Sequence, residues 1–565
     1  MTKRMIVLLL VIPFLLAGCQ KASTPTEEAA APPAVEPTSA VSEPTSAPEP
    51  TEVPAAPLPK IVIALETDID TMELDAFKSD AAYELDANTQ ERPIDYVWEG
   101  DSGGNWSSTN DFEGSLVESW EISDDGMSLT FHIRKGVTFY NGNPVDANAF
   151  KHSYERHISL AGGVTKPMMD MALGGVPEGA TVDQIEVVDD YTVTLRLTRP
   201  NPNVLSFLAT ISVPIIDPAV TAEYATEEDP WATEYWKTGT IGTGPYRLAR
   251  FEPGVEWELE PYEGYWNRDA IKNGGILVKV IPSAETRLLL LKAGDIDVVW
   301  GLPLKDMDDL VADPDINVVN FPSRSQNFMV LNNAIPPFDN VKVRQAISYA
   351  IPYKDLIEKT LYGYASPLQS PFPLSMPGAT FKYWPYGDGA NYEKAKELLA
   401  EAGYPDGFET ELNVLVGKQA DQDSAILIQD ALAQIGIDVK LNVLGAGPYF
   451  DALYGRTAPM VITYIYSFVN DPYYYAYYVL DSEGAANFAN YANERIDELI
   501  SDGFFEPDIA KRNAMTDEMQ KIFLEEAGYV NLFSADLVVA VRSDVKGFAA
   551  HGDGQPRFWM MYKEE

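Results

Sequence analysis

Glu411 to Leu444 reads ELNVLVGKQADQDSAILIQDALAQIGIDVKLNVL, and its two short apolar runs flank a segment with helical spacing. "ELNVLV" and "IDVKLNVL" are strand-like, while the stretch from about Ser424 to Ile435 has apolar residues three and four apart and stops at Gly436. A strand, a helix and a second strand in this order form a βαβ unit, which favours parallel pairing through a crossover connection. Just upstream, "NYEKAKELLAEAG" predicts another helix, with Asn391 as N-cap, Ala395, Leu398, Leu399 and Ala402 on one face, and Gly403 as the stop. Earlier in the chain the period changes. "LTFHIR" (Leu129, Phe131, Ile133), "YTVTLRL" (Val193, Leu195, Leu197) and "VEWELE" (Val255, Trp257, Leu259) alternate, as half-buried antiparallel strands do. The expected class is therefore α/β, with a strand-rich early half.

The two ends of this order differ in kind. Lys3 and Arg4 precede the apolar run Met5 to Leu16, which is too short to span a bilayer and has the layout of an export signal. It ends in Leu16-Ala17-Gly18-Cys19, which holds the one cysteine of the chain. Residues 21–59 have no aromatic residue and no glycine, and repeat Pro, Thr, Ser and Glu. Such a composition cannot offset its chain entropy by burial, so a disordered stalk is expected, reaching roughly 35 Å if it behaves as a flexible coil.

Charge narrows the partners. The net charge is −44 over 565 residues, a surface that repels nucleic acid and anionic headgroups. With one cysteine there is no disulfide within the chain, no iron-sulfur cluster and no thiolate zinc site. "GDSGG" (Gly100 to Gly104) resembles a protease nucleophile loop around Ser102, but the first histidine is His132, downstream of it. A glycine-rich surface turn is the better reading. None of His132, His152, His157 and His551 has metal-ligand spacing, and His152 and His157, five apart, are expected on a helix surface. "GTGPY" (Gly242 to Tyr246) places Arg247 where a dinucleotide loop needs its third glycine, and "DPDINVV" (Asp313 to Val319) lacks the glycine and glutamate of a calcium loop. The sequence thus predicts no catalytic set, no metal and no cofactor.

Five stretches in order then carry a resemblance. Leu116 to Arg156 ("LVESWEISDDGMSLTFHIRKGVTFYNGNPVDANAFKHSYER"), Gly242 to Asn267 ("GTGPYRLARFEPGVEWELEPYEGYWN"), Pro336 to Pro367, Tyr392 to Glu409 and Val479 to Ile500 resemble signature stretches of the family-5 extracellular solute-binding proteins. These are receptors of oligopeptide and dipeptide ABC importers, and the likeness spans nearly all of residues 60–565. It implies a two-lobed periplasmic-binding-protein-like clamp (type II-like, cluster C) with an inserted subdomain. Lobe I would comprise 60–110, 241–325 and 531–565, the insertion 111–240, and lobe II 326–530, with two strands crossing between lobes as a hinge. Residues 1–18 would be a lipoprotein signal peptide and 19–59 the lipidated cysteine and stalk, since Leu-Ala-Gly-Cys resembles a lipobox with a diacylglyceryl group on Cys19. The partners implied are a small-molecule ligand, the ABC permease and ATPase subunits, and the membrane through the anchor. A monomer outside the cytoplasm is expected, with no nucleic acid.

The resemblance also points to the cleft. Ser467 to Leu480, "SFVNDPYYYAYYVL", resembles the family's cleft-lining segment. Peptide receptors of the family carry an aspartate three residues before an Asp/Glu-Pro pair, which takes the peptide's α-ammonium; counting back from Asp471-Pro472 gives Phe468. A buried ammonium without a carboxylate is costly. The aromatic floor therefore leaves an oligosaccharide open beside a peptide, with a secreted hydrolase as the reading from another class. Candidate ligand contacts are Trp98, Trp300, Trp384, Phe468, Asp471 and Tyr473, with Trp106 also in a segment that could face the cleft.

Overall fold

A computed structural model describes residues 57–76, 79–160, 165–174, 179–373 and 375–564. The leader, Cys19 and the stalk as far as Ala56 lie outside them.

The βαβ unit forms as its pattern predicts. Strands Phe408–Leu415 and Ile437–Leu444 pair in parallel, from Phe408 opposite Ile437 to Leu415 opposite Leu444. The helix between them, Gln419–Ala433, begins five residues before the expected Ser424. Its first turn is polar and carries no apolar period, so the sequence pattern starts only where the core-facing residues do. Where the two strands begin side by side, Gly407 and Gly436 both have positive φ, and a Cβ on Gly407 would lie 1.9 Å from the Gly436 carbonyl oxygen. Only glycine fits there.

Around this unit lies a six-stranded sheet in the order Ala365–Pro367, Val530–Ala535, Ser325–Leu331, Met460–Tyr466, Phe408–Leu415, Ile437–Leu444. Helices Val341–Ala350, Tyr392–Glu401 and Gln419–Ala433 bury their apolar stripes in its core, among them Val343, Ile347, Leu398, Leu399, Ile428 and Leu432. A seven-stranded sheet makes the other lobe, ordered Ile316–Phe321, Leu537–Arg542, Val298–Trp300, Ile61–Leu65, Ile276–Val280, Glu256–Pro261, Tyr246–Glu252. Trp257, on the alternating run read as a strand, is fully buried there.

The chain passes between the two sheets between Phe321 and Ser325, and again between Ala535 and Leu537. The second passage falls at Asp536, beyond the expected 530/531 junction, because Val530–Ala535 pairs with Ser325–Leu331 in the six-stranded sheet. The two passages are tied together. Ser323 Oγ donates to the Ala535 carbonyl at 2.5 Å, and Ser534 Oγ to the Ser323 carbonyl at 3.2 Å.

Residues between the first strands of the seven-stranded sheet build a smaller body. Its antiparallel sheet runs Val117–Ile122, Ser128–Ile133, Thr192–Arg196, Ile185–Asp189, and helix Ala147–Ser159 is capped by Asp146, whose carboxylate accepts from the Asn148 and Ala149 amides. That helix corrects one expectation. His157 is fully buried, with Nε2 2.9 Å from the Pro214 carbonyl, and His152 is half-buried against Trp231. The segment around Pro214 covers what an isolated helix would expose. From the same body Phe207 reaches lobe II, its ring 6.0 Å from that of Tyr474 and stacked 6.1 Å from that of Phe504.

Two motifs weighed for chemistry resolve as structure. "GDSGG" is an exposed turn between Ile94–Gly100 and Trp106–Gly114, in which Asp101 accepts from the Gly103 and Asn105 amides. In "GTGPY" the glycine serves close packing, because a Cβ on Gly242 would meet the Thr89 carbonyl oxygen at 2.0 Å. No helix among the described residues is long and apolar enough to cross a membrane.

Candidate functional site: a cleft between two lobes

The sheet edges on either side of the two passages face each other across a cavity of about 950 Å³. Lobe I lines it with Glu66, Gly301, Lys305 and Phe321, and lobe II with Thr360, Lys418, Asp421, Tyr464 and Tyr466. A second cavity of about 510 Å³ opens inside lobe II, walled by Tyr449, Tyr454, Phe468, Tyr474, Tyr478 and Phe488. Lys418, Asp421, Tyr464 and Tyr466 line both, so the aromatic chamber is a side room of the cleft.

Local sequence explains the walls. Tyr464 and Tyr466 are two apart on strand Met460–Tyr466 and therefore share a face. Lys418 and Asp421 follow the C-terminal end of parallel strand Phe408–Leu415, the edge at which open α/β sheets bind ligands. Lys418 Nζ sits 5.3 Å from the Tyr464 ring centroid. The Asp421 carboxyl is pushed up to about 6 by burial, against the pull of Lys418, and burial likewise raises Tyr449 and Tyr466 to about 12.

The six candidate residues separate. Phe468 lines the chamber, 6.1 Å from both Tyr466 and lobe I Tyr83. Asp471 does not reach the cavity. It caps helix Pro472–Val479 through the Tyr473 and Tyr474 amides, and both its oxygens pair with Arg512 at 2.7 and 2.9 Å. Tyr473 is fully buried beneath that guanidinium, 4.4 Å from it, and donates to the Arg512 carbonyl. Trp384 is wedged edge-on against Tyr353 and Tyr386 in lobe II, its indole N–H bonded to the Gly387 carbonyl. Trp300 packs edge-on against Phe548, next to the lining Gly301. Trp98 faces a separate lobe I cavity of about 190 Å³ and contacts His551 and Trp559; Trp106 stands at the surface, 37% exposed. Asp471, Tyr473 and Trp384 lie away from both cavities; sequence spacing carries no information on which face of lobe II each side chain meets. Tyr464, Tyr466, Lys418 and Asp421 line both cavities without having been expected there, although the parallel-strand edge was a signal for the last two.

Behind the lobe I wall lies a buried ionic network. His551 has Nε2 2.9 Å from Asp95 and Nδ1 2.8 Å from Asp553, and Asp553 also pairs with Arg557 at 2.7 Å. Burial alone would raise both carboxyls, but His551 and Arg92 hold Asp95 near 2, and Arg557 and His551 keep Asp553 well below the usual range. Nearby, burial drives Glu84 well upward and Asp86 and Glu91 to about 7, although Glu91 accepts from Trp266, Tyr265 and Ser115.

A carboxyl whose folded pKa exceeds its unfolded one destabilises the fold as pH rises through that interval. His157 and His152, lowered by burial to about 3 and about 4, act oppositely, but only below about pH 6.5. Above it the histidine contribution fades and the raised carboxyls dominate the slope. The melting temperature is therefore expected to fall by about 1–3 °C between pH 6.5 and 8. Calorimetry of Glu91→Gln should show a smaller fall; an unchanged one would remove Glu91 from the account.

Among the described residues no group of three His, Cys, Asp or Glu side chains could hold a metal ion. Two sheets joined by two tied passages, with a lined cavity between them, have the form of a ligand clamp. Residues 111–487 match the model of bacterial extracellular solute-binding proteins, family 5. The chain belongs to that family. One family-5 relative, "Probable D,D-dipeptide-binding periplasmic protein DdpA" of Escherichia coli (strain K12), is 28% identical over 512 residues, covering 87% of this chain and 92% of its own. The glutathione-binding protein GsiB of Salmonella paratyphi A is 28% identical over 443 residues, covering 77% and 82%. Among solved structures, the ABC transporter-associated periplasmic binding protein DppA from Helicobacter pylori, in complex with peptide STSA, superposes with a TM-score of 0.74 at 27% identity, covering 89% of this chain and 98% of that one. The family-5 fold accounts for the two-lobed α/β architecture, and the protein is a solute-binding protein.

Proposed function

We propose that this solute-binding protein is the receptor of an ABC importer, taking a peptide into the cleft and delivering it to a membrane permease powered by partner ATPase subunits. The observation that carries the reading is the open cleft between two lobes joined by two adjacent passages. It is supported by the dipeptide, glutathione and peptide ligands named for three relatives. Lobe I (60–110, 241–325, 531–565, with the exchange at Asp536) would swing against lobe II (326–530), the segment 111–240 moving with lobe I. A ligand favours the shut form only by its difference in affinity for shut and open forms. In this reading the receptor is a monomer that makes and breaks no bond in its cargo. It is held outside the cell membrane by lipid on Cys19, with residues 20–59 as the leash.

The aromatic chamber favours a second ligand class, an oligosaccharide whose apolar faces stack on tyrosine rings. Melting-temperature shifts against peptide and sugar panels, paired with small-angle scattering, test both. A peptide that raises the melting temperature and shrinks the radius of gyration supports the reading; turnover of the ligand, or no compaction with any ligand, ends it. Phe468→Ala should weaken whichever ligand binds by about 10- to 100-fold, since the ring contributes a desolvated contact at the centre of the wall. Unchanged affinity by calorimetry would remove Phe468 from the site.

A further inference from the structure

Where the cleft meets the chamber, one carboxylate stands without a partner. Asp421 is 8% exposed, lines both cavities, and makes no hydrogen bond or ion pair to any described residue. The nearest cation, Lys418, is turned over the Tyr464 ring. The polar groups around it are already committed: Tyr449 donates to the Ile462 carbonyl at 2.7 Å, Gln422 to the Leu415 carbonyl at 3.2 Å, and Thr360 is bonded to Ser424 at 3.0 Å. A buried carboxylate left this way is unfavourable, and a cation arriving through the cavity relieves it.

We infer that Asp421 anchors a positively charged group of the captured solute, an ammonium or guanidinium, with the aromatic chamber beside it taking the apolar part. The inference rests on the peptide reading above and names what that reading leaves open, the chemistry of the charged end. Phe468, three residues before Asp471, supplies an apolar ring; Asp421 supplies the charge from another element. In the ligand-free protein the buried carboxylate costs more than the helix N-terminus returns, so Asp421→Asn should fold with a melting temperature equal to or above that of the wild type.

Calorimetry with Ala-Phe-Ala, N-acetyl-Ala-Phe-Ala and N-acetyl-Ala-Lys-Ala tests it. The wild type should bind the free-amine peptide more tightly than its acetylated form, and Asp421→Asn should weaken the amine-bearing peptide at least about 30-fold while moving the neutral one less than threefold. Restored affinity for the acetylated lysine peptide assigns the anchor to a side-chain amine; its absence assigns it to the α-ammonium. If the wild type ignores charge, or Asp421→Asn weakens charged and neutral peptides alike, Asp421 is a hydrated first-turn carboxylate and the inference falls alone. If the wild type binds none of the three, the peptide reading falls and takes this inference with it.

Discussion

Arg557→Met is expected to lower stability by about 3–5 kcal/mol, the range for removing one partner of a buried ion pair. Arg557 is fully buried. Its guanidinium holds Asp553 at 2.7 and 3.2 Å and the Gln555 carbonyl at 2.6 Å, with Asp86 and Asp95 also in its field. Methionine fills much of the volume but leaves Asp553 with only its contact to His551 and the field of Arg92. Asp553→Asn added to Arg557→Met should recover part of the loss, because the stranded charge is then gone; recovery stays incomplete since His551 keeps only Asp95. Denaturant unfolding of the single and double variants checks this, and a single-variant loss under 1 kcal/mol would show that water reaches the network. The consequence is functional as well as structural: His551 lines the cleft, so the network braces the lobe I wall.

Arg512→Met should cost a similar 3–5 kcal/mol in lobe II. Arg512 pairs with both Asp471 oxygens, donates to the Gly503 carbonyl at 2.9 Å and lies on the Tyr473 ring, joining helices Pro472–Val479, Glu494–Phe504 and Ile509–Glu526. Asp471→Asn should cost less, about 1–3 kcal/mol, because asparagine still caps the helix while a weaker bond to the guanidinium survives. Neither substitution is expected to alter peptide affinity by more than about threefold once the protein is folded. Dipeptide binding abolished by Asp471→Asn in a protein of unchanged melting temperature would return Asp471 to the ligand site.

Asp471 shows where reading the chain stops. The Asp-Pro pair ahead of an aromatic run is a helix start visible in the sequence, and the structure has Asp471 as N-cap and Pro472 at the first helical position. Nothing local says whether the free carboxylate oxygen meets solute or protein, because Arg512 lies 41 residues away. His157 was misplaced for the same reason. Its helix looks two-sided by period, yet a loop more than 50 residues later covers the second side. The early start of helix Gln419–Ala433 is the converse case. A polar first turn hides its helical character, and burial of Asp421 follows from the cavity, not from any pattern within the turn.

By itself the chain determined the parallel βαβ unit, the alternating strands and the family, since each depends on periods or residue types readable within about forty positions. Tertiary structure alone decided which side chains face the cleft. The cleft is made where two sheets and an inserted body converge from distant segments, so Asp421 and Tyr466 face it while Asp471 and Trp384 turn away. That choice depends on which partner reaches each group first in space, and spacing along the chain does not encode it.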